Sequence, residues 1–432
     1  MLLAMIGLAS AMTLEDAWAR VEADGQETTL LTEQRRQAEL YRTMAWATVS
    51  PKVSVSGNFN VNEREIALDF SQSFPPEVLD LIEGFTGEPV DFGDPTIIQE
   101  KDYFDANVTI VQPLFSAKAI PGLYGAQALA RAGQAQEEAG RAQLRLGVAR
   151  AFWGVAVARE GERVSTDALD VAKRYLVTAK ALVAAGSATR QTELQAAIGV
   201  ARAQRDLAAA VARRTQAEEA FAALVGVSDV GALDLPDGPR SLPVDDTASA
   251  VGRATDRRPD LRAAEEQLRA ARQTRLATDL GWVPSLDGRF TQAWSENAGF
   301  SGANSNWMLV FTASWTPWDG GFRIAEQERT ASVLRQATAS VEKAREDVAT
   351  EVRSAWEERE RAQLALAAAR EELGLAEENL RLAEISYEAG ASAYLDLEQA
   401  RVGRDAARLT VTAETMNLDL ANLSMLKATG DL

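Results

Sequence analysis

The stretch YEAGASAYLDLEQAR, residues 387–401, interrupts what otherwise reads as one very long helix. An earlier break, LVAAGSATRQTELQAA at 182–197, follows the same order: an apolar helical run, a glycine, small residues, and a new helical run. Gly186 and Gly390 stand 204 positions apart, and the register holds around them. Leu169 matches Leu373, Ala172 matches Ala376, Leu176 matches Leu380, and Ala179 matches Ala383. Upstream, Val148 matches Val352, Ala151 matches Ala355, Phe152 falls on Trp356, and Pro113 falls on Pro317. Alanine matches are cheap in an alanine-rich chain, but the combined glycine, proline, leucine and aromatic register marks a duplication.

The seam beside the second break gives the geometry. Ala362, Leu366, Ala369, Leu373, Ala376, Leu380, Ala383 and Tyr387 are spaced alternately by four and three residues. That heptad pattern keeps an apolar stripe against a partner helix, and small alanines let the two helices approach closely. At 1.5 Å per residue, a helix over 118–184 would be roughly 100 Å long. A glycine near the middle of each long stretch, at one repeat position, predicts a turn between two antiparallel helices rather than a tolerated defect.

Composition agrees. Sixty-three Asp and Glu against 45 Lys and Arg give a net charge of −18, aromatics are only 6% of the 432 residues, and there is no cysteine or histidine. Such a chain favours long amphipathic helices. It lacks the basic footprint that nucleic acid needs, the thiolates and imidazoles of most zinc sites, and the commonest general base. Nothing in it suggests an enzyme, a cofactor or a metal site. The apolar start MLLAMIGLASA, residues 1–11, ends in Ala-Ser-Ala and reads as a secretory signal peptide.

The period then changes from 3.6 to 2. Val53, Val55, Phe59 and Val61 alternate with Ser54, Ser56, Asn58 and Asn60, and Phe104, Ala106, Val108 and Ile110 alternate with Asp105, Asn107 and Thr109. In the second copy Leu286, Phe290 and Trp294 alternate with Asp287, Arg289 and Thr291, and Trp307, Leu309, Phe311, Ala313 and Trp315 share a face. Each chain thus offers two β-hairpins with one apolar and one polar face. Trp282, Trp294, Trp307, Trp315 and Trp318 crowd the second hairpin, as a membrane-interface girdle would. Four strands cannot close a barrel, and open edges in lipid leave backbone groups unsatisfied. Several chains must share one barrel, either a dimer of eight strands or a trimer of twelve.

The expected order is a first repeat at 12–225, a linker at 226–247 and a second repeat at 248–428. The first repeat holds a helix at 13–48, strands at about 51–69 and 101–112, and long helices at 117–184 and 190–225. The second holds a helix at 248–280, strands at about 284–296 and 306–316, and long helices at 321–388 and 394–427. Pro51 to Pro113 spans 62 positions and Pro284 to Pro317 spans 33, so the first hairpin is 29 residues longer. Its excess is rich in Pro, Gly and acidic residues and reads as an outward loop with a short helix in PEVLDLIEGF.

The duplicated plan, RRPDLRAAEEQLRAA at 257–271, WVPSLDG at 282–288, WTPWDGG at 315–321 and the paired glycine breaks resemble the TolC-like outer-membrane efflux proteins. The resemblance covers nearly the whole chain. It implies a mainly α fold with a membrane β part: a homotrimer whose hairpins share a twelve-stranded barrel in outer-membrane lipid, and whose helices form an α-barrel across the periplasm. It implies an exit duct serving tripartite efflux or type I secretion, with a periplasmic adaptor protein and an inner-membrane transporter as partners.

In that family the tips of the helical hairpins close the duct. The family's tip tyrosine is present as Tyr387 and its first aspartate as Asp396, whereas its arginine is replaced by Ser392 and its second aspartate by Gln399. In the first copy the position matching Asp396 is Thr192, with Glu193 beside it. Two roles are expected for Asp396, a ring of like charges on the axis or a cap on the returning helix, with Arg190 as the opposing cation. The alternative reading of the residues is a soluble coiled-coil scaffold with no transport role.

Overall fold

The computed structural model describes residues 11–69, 74–88, 95–236, 240, 242–244, 246–297, 303–389 and 391–432. The expected leader, Ala11 apart, lies outside the described residues. So does Gly390. The chain divides into two compact units, one of Met1–Glu39, Leu129–Leu268 and Gln336–Leu432, the other of Leu40–Ala128 and Arg269–Arg335.

In chain order the elements are α1 (Leu14–Asp24), α2 (Gln26–Ala47), β1 (Lys52–Val61), β2 (Ile66–Leu68), α3 (Pro76–Thr86), β3 (Thr96–Gln99), β4 (Asp102–Phe115), α4 (Ala119–Ala184) and α5 (Arg190–Val225). The second half holds α6 (Thr247–Arg257), α7 (Pro259–Asp279), β5 (Ser285–Ser295), β6 (Ser305–Ser314), α8 (Phe322–Glu388) and α9 (Tyr394–Thr429). Among the described residues no helix is long and apolar enough to cross a membrane.

The helical arms differ from expectation. The sequence predicts one helix at 13–48 and one at 248–280, and each is two. α1 ends on Gly25, whose backbone is extended, and a Cβ there would lie 2.3 Å from the Val21 carbonyl oxygen. α6 ends on Arg258, also extended, because the ring of Pro259 clashes with a helical conformation in the residue before it. Gly25 and Arg258 lie 233 positions apart, as do the capping residues Thr13 and Asp246. That offset is the 204 of the long helices plus the 29 extra residues of the first hairpin. One break is thus built twice, by a glycine in one copy and a proline in the other.

Breaking the arms lets short helices lie on the long ones. Leu14, Ala17 and Val21 of α1 pack on Val148, Phe152, Trp153 and Val155 of α4, with Phe221 of α5 and Leu423 of α9. Ala250 and Ala254 of α6, with Leu261 of α7, pack on Val348 and Val352 of α8 and on Met425. Phe221 and Met425, both fully buried, are themselves 204 apart. Farther along, the heptad seam is the buried stripe: Ala362 and Leu366 meet Leu418 and Ala421, and Leu380 meets Leu397 and Ala400.

The other unit contains the sheet. The two expected hairpins join edge to edge, in the order β1-β4-β5-β6, all antiparallel. The strand expected over 51–69 stops at Val61. β2 turns away from that sheet and pairs with β3, and α3 forms in the loop beyond them.

Candidate duct wall and gate

Register across the sheet sorts its side chains into two faces. Val53, Val55 and Phe59 stand beside Ile110, Val108 and Phe104, which stand beside Phe290, Gln292 and the end of β5, then Leu309 and Trp307. The opposite face carries Ser54, Ser56, Asn58 and Asn60 beside Thr109, Asn107 and Asp105, then Thr291 and Ala293. Ser56 Oγ donates to Asn107 Oδ1 at 2.9 Å, Asn60 Nδ2 donates to Asp105 Oδ2 at 2.8 Å, and the hydroxyls of Thr109 and Thr291 lie 3.4 Å apart. Neither face is covered among the described residues. Val55 is 74% exposed, and Phe59 and Trp307 are each 68% exposed. β1 and β6, the outer strands, have no further partner among the described residues.

The tryptophans fall at the two ends of β5 and β6. Trp294 and Trp307 sit toward the loop that joins the strands, and Phe290 stacks on Trp307 with ring centroids 6.4 Å apart. Trp282, Trp315 and Trp318 lie at the other end, where the Trp315 indole donates to the Trp282 carbonyl at 3.2 Å and Arg323 covers the Trp282 ring at 4.5 Å. Trp307 and Trp315 are eight residues apart, about 27 Å along a strand, which at the tilt of membrane strands rises roughly 20 Å through an apolar band about 25 Å tall.

The hairpin tips repeat their backbone hydrogen bonds at an offset of 204. Ser187 N–H donates to Leu182 O at 2.9 Å, and Ala391 N–H donates to Ser386 O at 2.8 Å. Thr192 N–H reaches Thr189 O, and Asp396 N–H reaches Ala393 O, both at 3.0 Å. Gly186 adopts the left-handed conformation with φ of 75°, which closes the first helix and leaves its side of the turn free of any Cβ.

The side chains at the tips diverge. In the first copy the hydroxyl of Thr189 accepts from Thr192 N–H at 3.4 Å. In the second copy that cap residue is Ala393, which cannot accept, and the Asp396 carboxylate instead accepts from Ala393 N–H at 3.1 Å. Asp396 therefore does cap its helix. Arg190, expected to oppose Asp396, is paired with Glu193 one turn along its own helix. Residues three apart on a helix are neighbours, and a local pair forms without long-range closure. Tyr387 is half-exposed, Ser392 buries its hydroxyl without a partner among the described residues, and Gln399 is exposed.

One tip residue was not anticipated. Glu398 is 2% exposed, although its repeat position is the apolar Leu194. That mismatch at the 204 offset was the available signal.

A model of the outer membrane efflux protein family matches residues 41–227 and 250–431. The chain belongs to the outer membrane efflux protein family. The two matched blocks fall on the two repeats, and the membership sets aside the soluble scaffold. Among solved structures, the chain is similar to the CmeC outer membrane channel of Campylobacter jejuni (13% identity, 97% of this chain and 85% of that one, TM-score 0.78). It is also similar to the outer membrane protein VceC of Vibrio cholerae (16%, 96% and 96%, 0.73). A third is the MtrE outer membrane channel of Neisseria gonorrhoeae in its open state (19%, 96% and 88%, 0.68). At these identities the likeness shows the fold. No curated protein sequence matches the chain.

Proposed function

We propose that this protein is the passive exit duct of a tripartite efflux or type I secretion system. Three copies close a twelve-stranded barrel in the outer membrane, and their long helices continue the duct through the periplasm. The observation that carries this reading is the four-stranded sheet with an exposed apolar face and two outer edges that have no partner strand among the described residues. Backbone groups at a strand edge cannot be left open in hydrocarbon, so each edge needs a strand from another copy. The polar face of Ser, Asn, Asp and Thr then lines water.

The helical unit supports the same assembly. Leu364, Leu375, Leu382 and Ile385 of α8 are half or more exposed, as are Leu194 and Ile198 of α5. They form apolar surface outside the intrachain seams, available to neighbouring copies. The tips are proposed to gate the duct, with the Asp396 carboxylates ringing the mouth while each also caps its helix. An inner-membrane transporter working through a periplasmic adaptor supplies the energy.

Membrane fractionation followed by mass measurement of the detergent-solubilised protein tests this reading. The expected result is a trimer in the outer-membrane fraction that forms conducting channels in planar bilayers. A monomer soluble without detergent would overturn it.

A further inference from the structure

Between α4, α5 and α9, near the tips, lies a groove of about 510 Å³. Val171 and Tyr175 of α4 and Leu395 and Val402 of α9 give it apolar walls. Two helix-interior glycines, Gly199 of α5 and Gly403 of α9, open it further. They are 204 apart, and a Cβ added to either would meet nothing within 4 Å. Glycine is less favourable than alanine inside a helix. Among the described residues no packing requires either glycine, and together they enlarge this space.

Glu398 lines the same groove and is 2% exposed. One carboxylate oxygen, Oε1, accepts from Arg401 Nη1 at 3.3 Å, while Oε2 is buried and has no hydrogen-bond partner among the described residues. Arg401 also reaches Glu384 at 3.5 Å. One guanidinium shared by two carboxylates leaves an excess negative charge at an apolar wall. A buried carboxylate is costly unless its charge and lone pairs are satisfied. The repeat plan does not require it, because the equivalent position is Leu194.

We propose that this groove binds an organic monocation. The apolar body of the ligand lies between Val171, Tyr175, Leu395 and Val402, and a cationic or amine N–H donates to Glu398 Oε2. A cation there completes the hydrogen bonding of the carboxylate and balances its charge in surroundings that screen poorly. The site stands on residues of one chain and does not depend on the gate.

Ethidium, an aromatic cation with exocyclic amines, serves as the probe, and the neutral dye N-phenyl-1-naphthylamine as the control. Each is titrated by fluorescence into the full-length protein in detergent. The expected result is saturable ethidium binding, one per chain, weakened at least tenfold by Glu398→Gln while the neutral dye binds both forms alike. Gly403→Met, which fills the groove without touching the carboxylate, should abolish ethidium binding. Absence of saturable binding to the unaltered protein, as when a helix of a second copy or a partner covers the groove, overturns the proposal. So does ethidium binding that either substitution leaves unchanged.

Discussion

The indole N–H of Trp153 donates to the carboxylate of Asp419 at 2.8 Å, joining α4 of the first repeat to α9 of the second. Trp153 is fully buried, Asp419 is 3% exposed, and the other carboxylate oxygen lies 3.3 Å from Arg240 of the linker between the repeats. Arg240 in turn covers the ring of Trp18 at 5.1 Å and pairs with Glu15. One acidic side chain therefore ties both repeats and their linker together. Asp419→Ala should destabilise the protein by about 1–3 kcal/mol, because the Trp153 donor is left buried without an acceptor. Asp419→Asn keeps an acceptor oxygen and should cost less. Thermal unfolding of the two variants in one detergent checks the order, and equal losses would contradict it.

The same residue sets a pH dependence with an unusual sign. Burial pushes the Asp419 carboxyl above its ordinary value of 3.8, despite the Trp153 hydrogen bond and the charge of Arg240. Between 3.8 and the raised value the folded state holds more protons than the unfolded state, so this group makes stability fall as pH rises. At Asp431, burial raises the pKa, but hydrogen bonds from Arg253 and Thr429 outweigh it and hold the carboxyl below 3.8. Its contribution is present above 3.8 and is lost as pH falls through the depressed value. Melting curves across pH 3 to 7, a range of about four units bracketing the carboxylates, should flatten in opposite directions for Asp419→Asn and Asp431→Asn.

Gly186 is the simplest element of the tip to test. Its φ of 75° is unfavourable for an L side chain, yet a Cβ there would meet nothing within 4 Å. Gly186→Ala should therefore cost only the conformational term, about 1–2 kcal/mol. Hydrogen exchange at Ser187 and Ala188, whose amides both bond to Leu182 O, should quicken by roughly tenfold for a change of that size. Unchanged exchange would show that the turn is held by something other than this glycine.

Asp396 combines a cap with a proposed charge ring, and two substitutions separate them. Asp396→Asn can still accept from Ala393 N–H but carries no charge. Asp396→Ala loses both, with about 0.5–2 kcal/mol of helix stability. If the carboxylates ring the mouth, block of single-channel current by a divalent cation should weaken in both variants. Block that persists in both leaves Asp396 as a cap alone.

The two faces of the sheet should respond oppositely to charge. Phe59→Arg places a cation on the exposed apolar face and should cost about 2–4 kcal/mol if that position lies at mid-bilayer. Asn58→Arg, one residue away on the polar face, should be tolerated. The assembled fraction recovered from the outer membrane is the measurement, and equal recovery would contradict the assignment of the faces.

Local and periodic features were legible in the sequence. The seam through Ala362, Leu366 and Leu380 is the buried stripe, because a heptad repeat leaves one face for a partner helix. The strand faces followed from period 2, and the paired tips from the 204 offset. The break at Arg258 was readable from Pro259, but its twin at Gly25 carries no proline and shows only when the 29-residue insertion is added to the offset.

Tertiary structure alone decided three things. Joining β4 to β5 pairs strands from different repeats, and neither strand's pattern names its neighbour. Arg190 chose Glu193, since a partner one turn away needs no long-range closure. Glu398 looks in sequence like any helix-surface acid. It is buried because α9 packs beside α4 and α5, and that packing depends on where every other helix lies. Periodicity determines which face of an element is apolar; only the assembled helices determine what each polar exception on that face must meet.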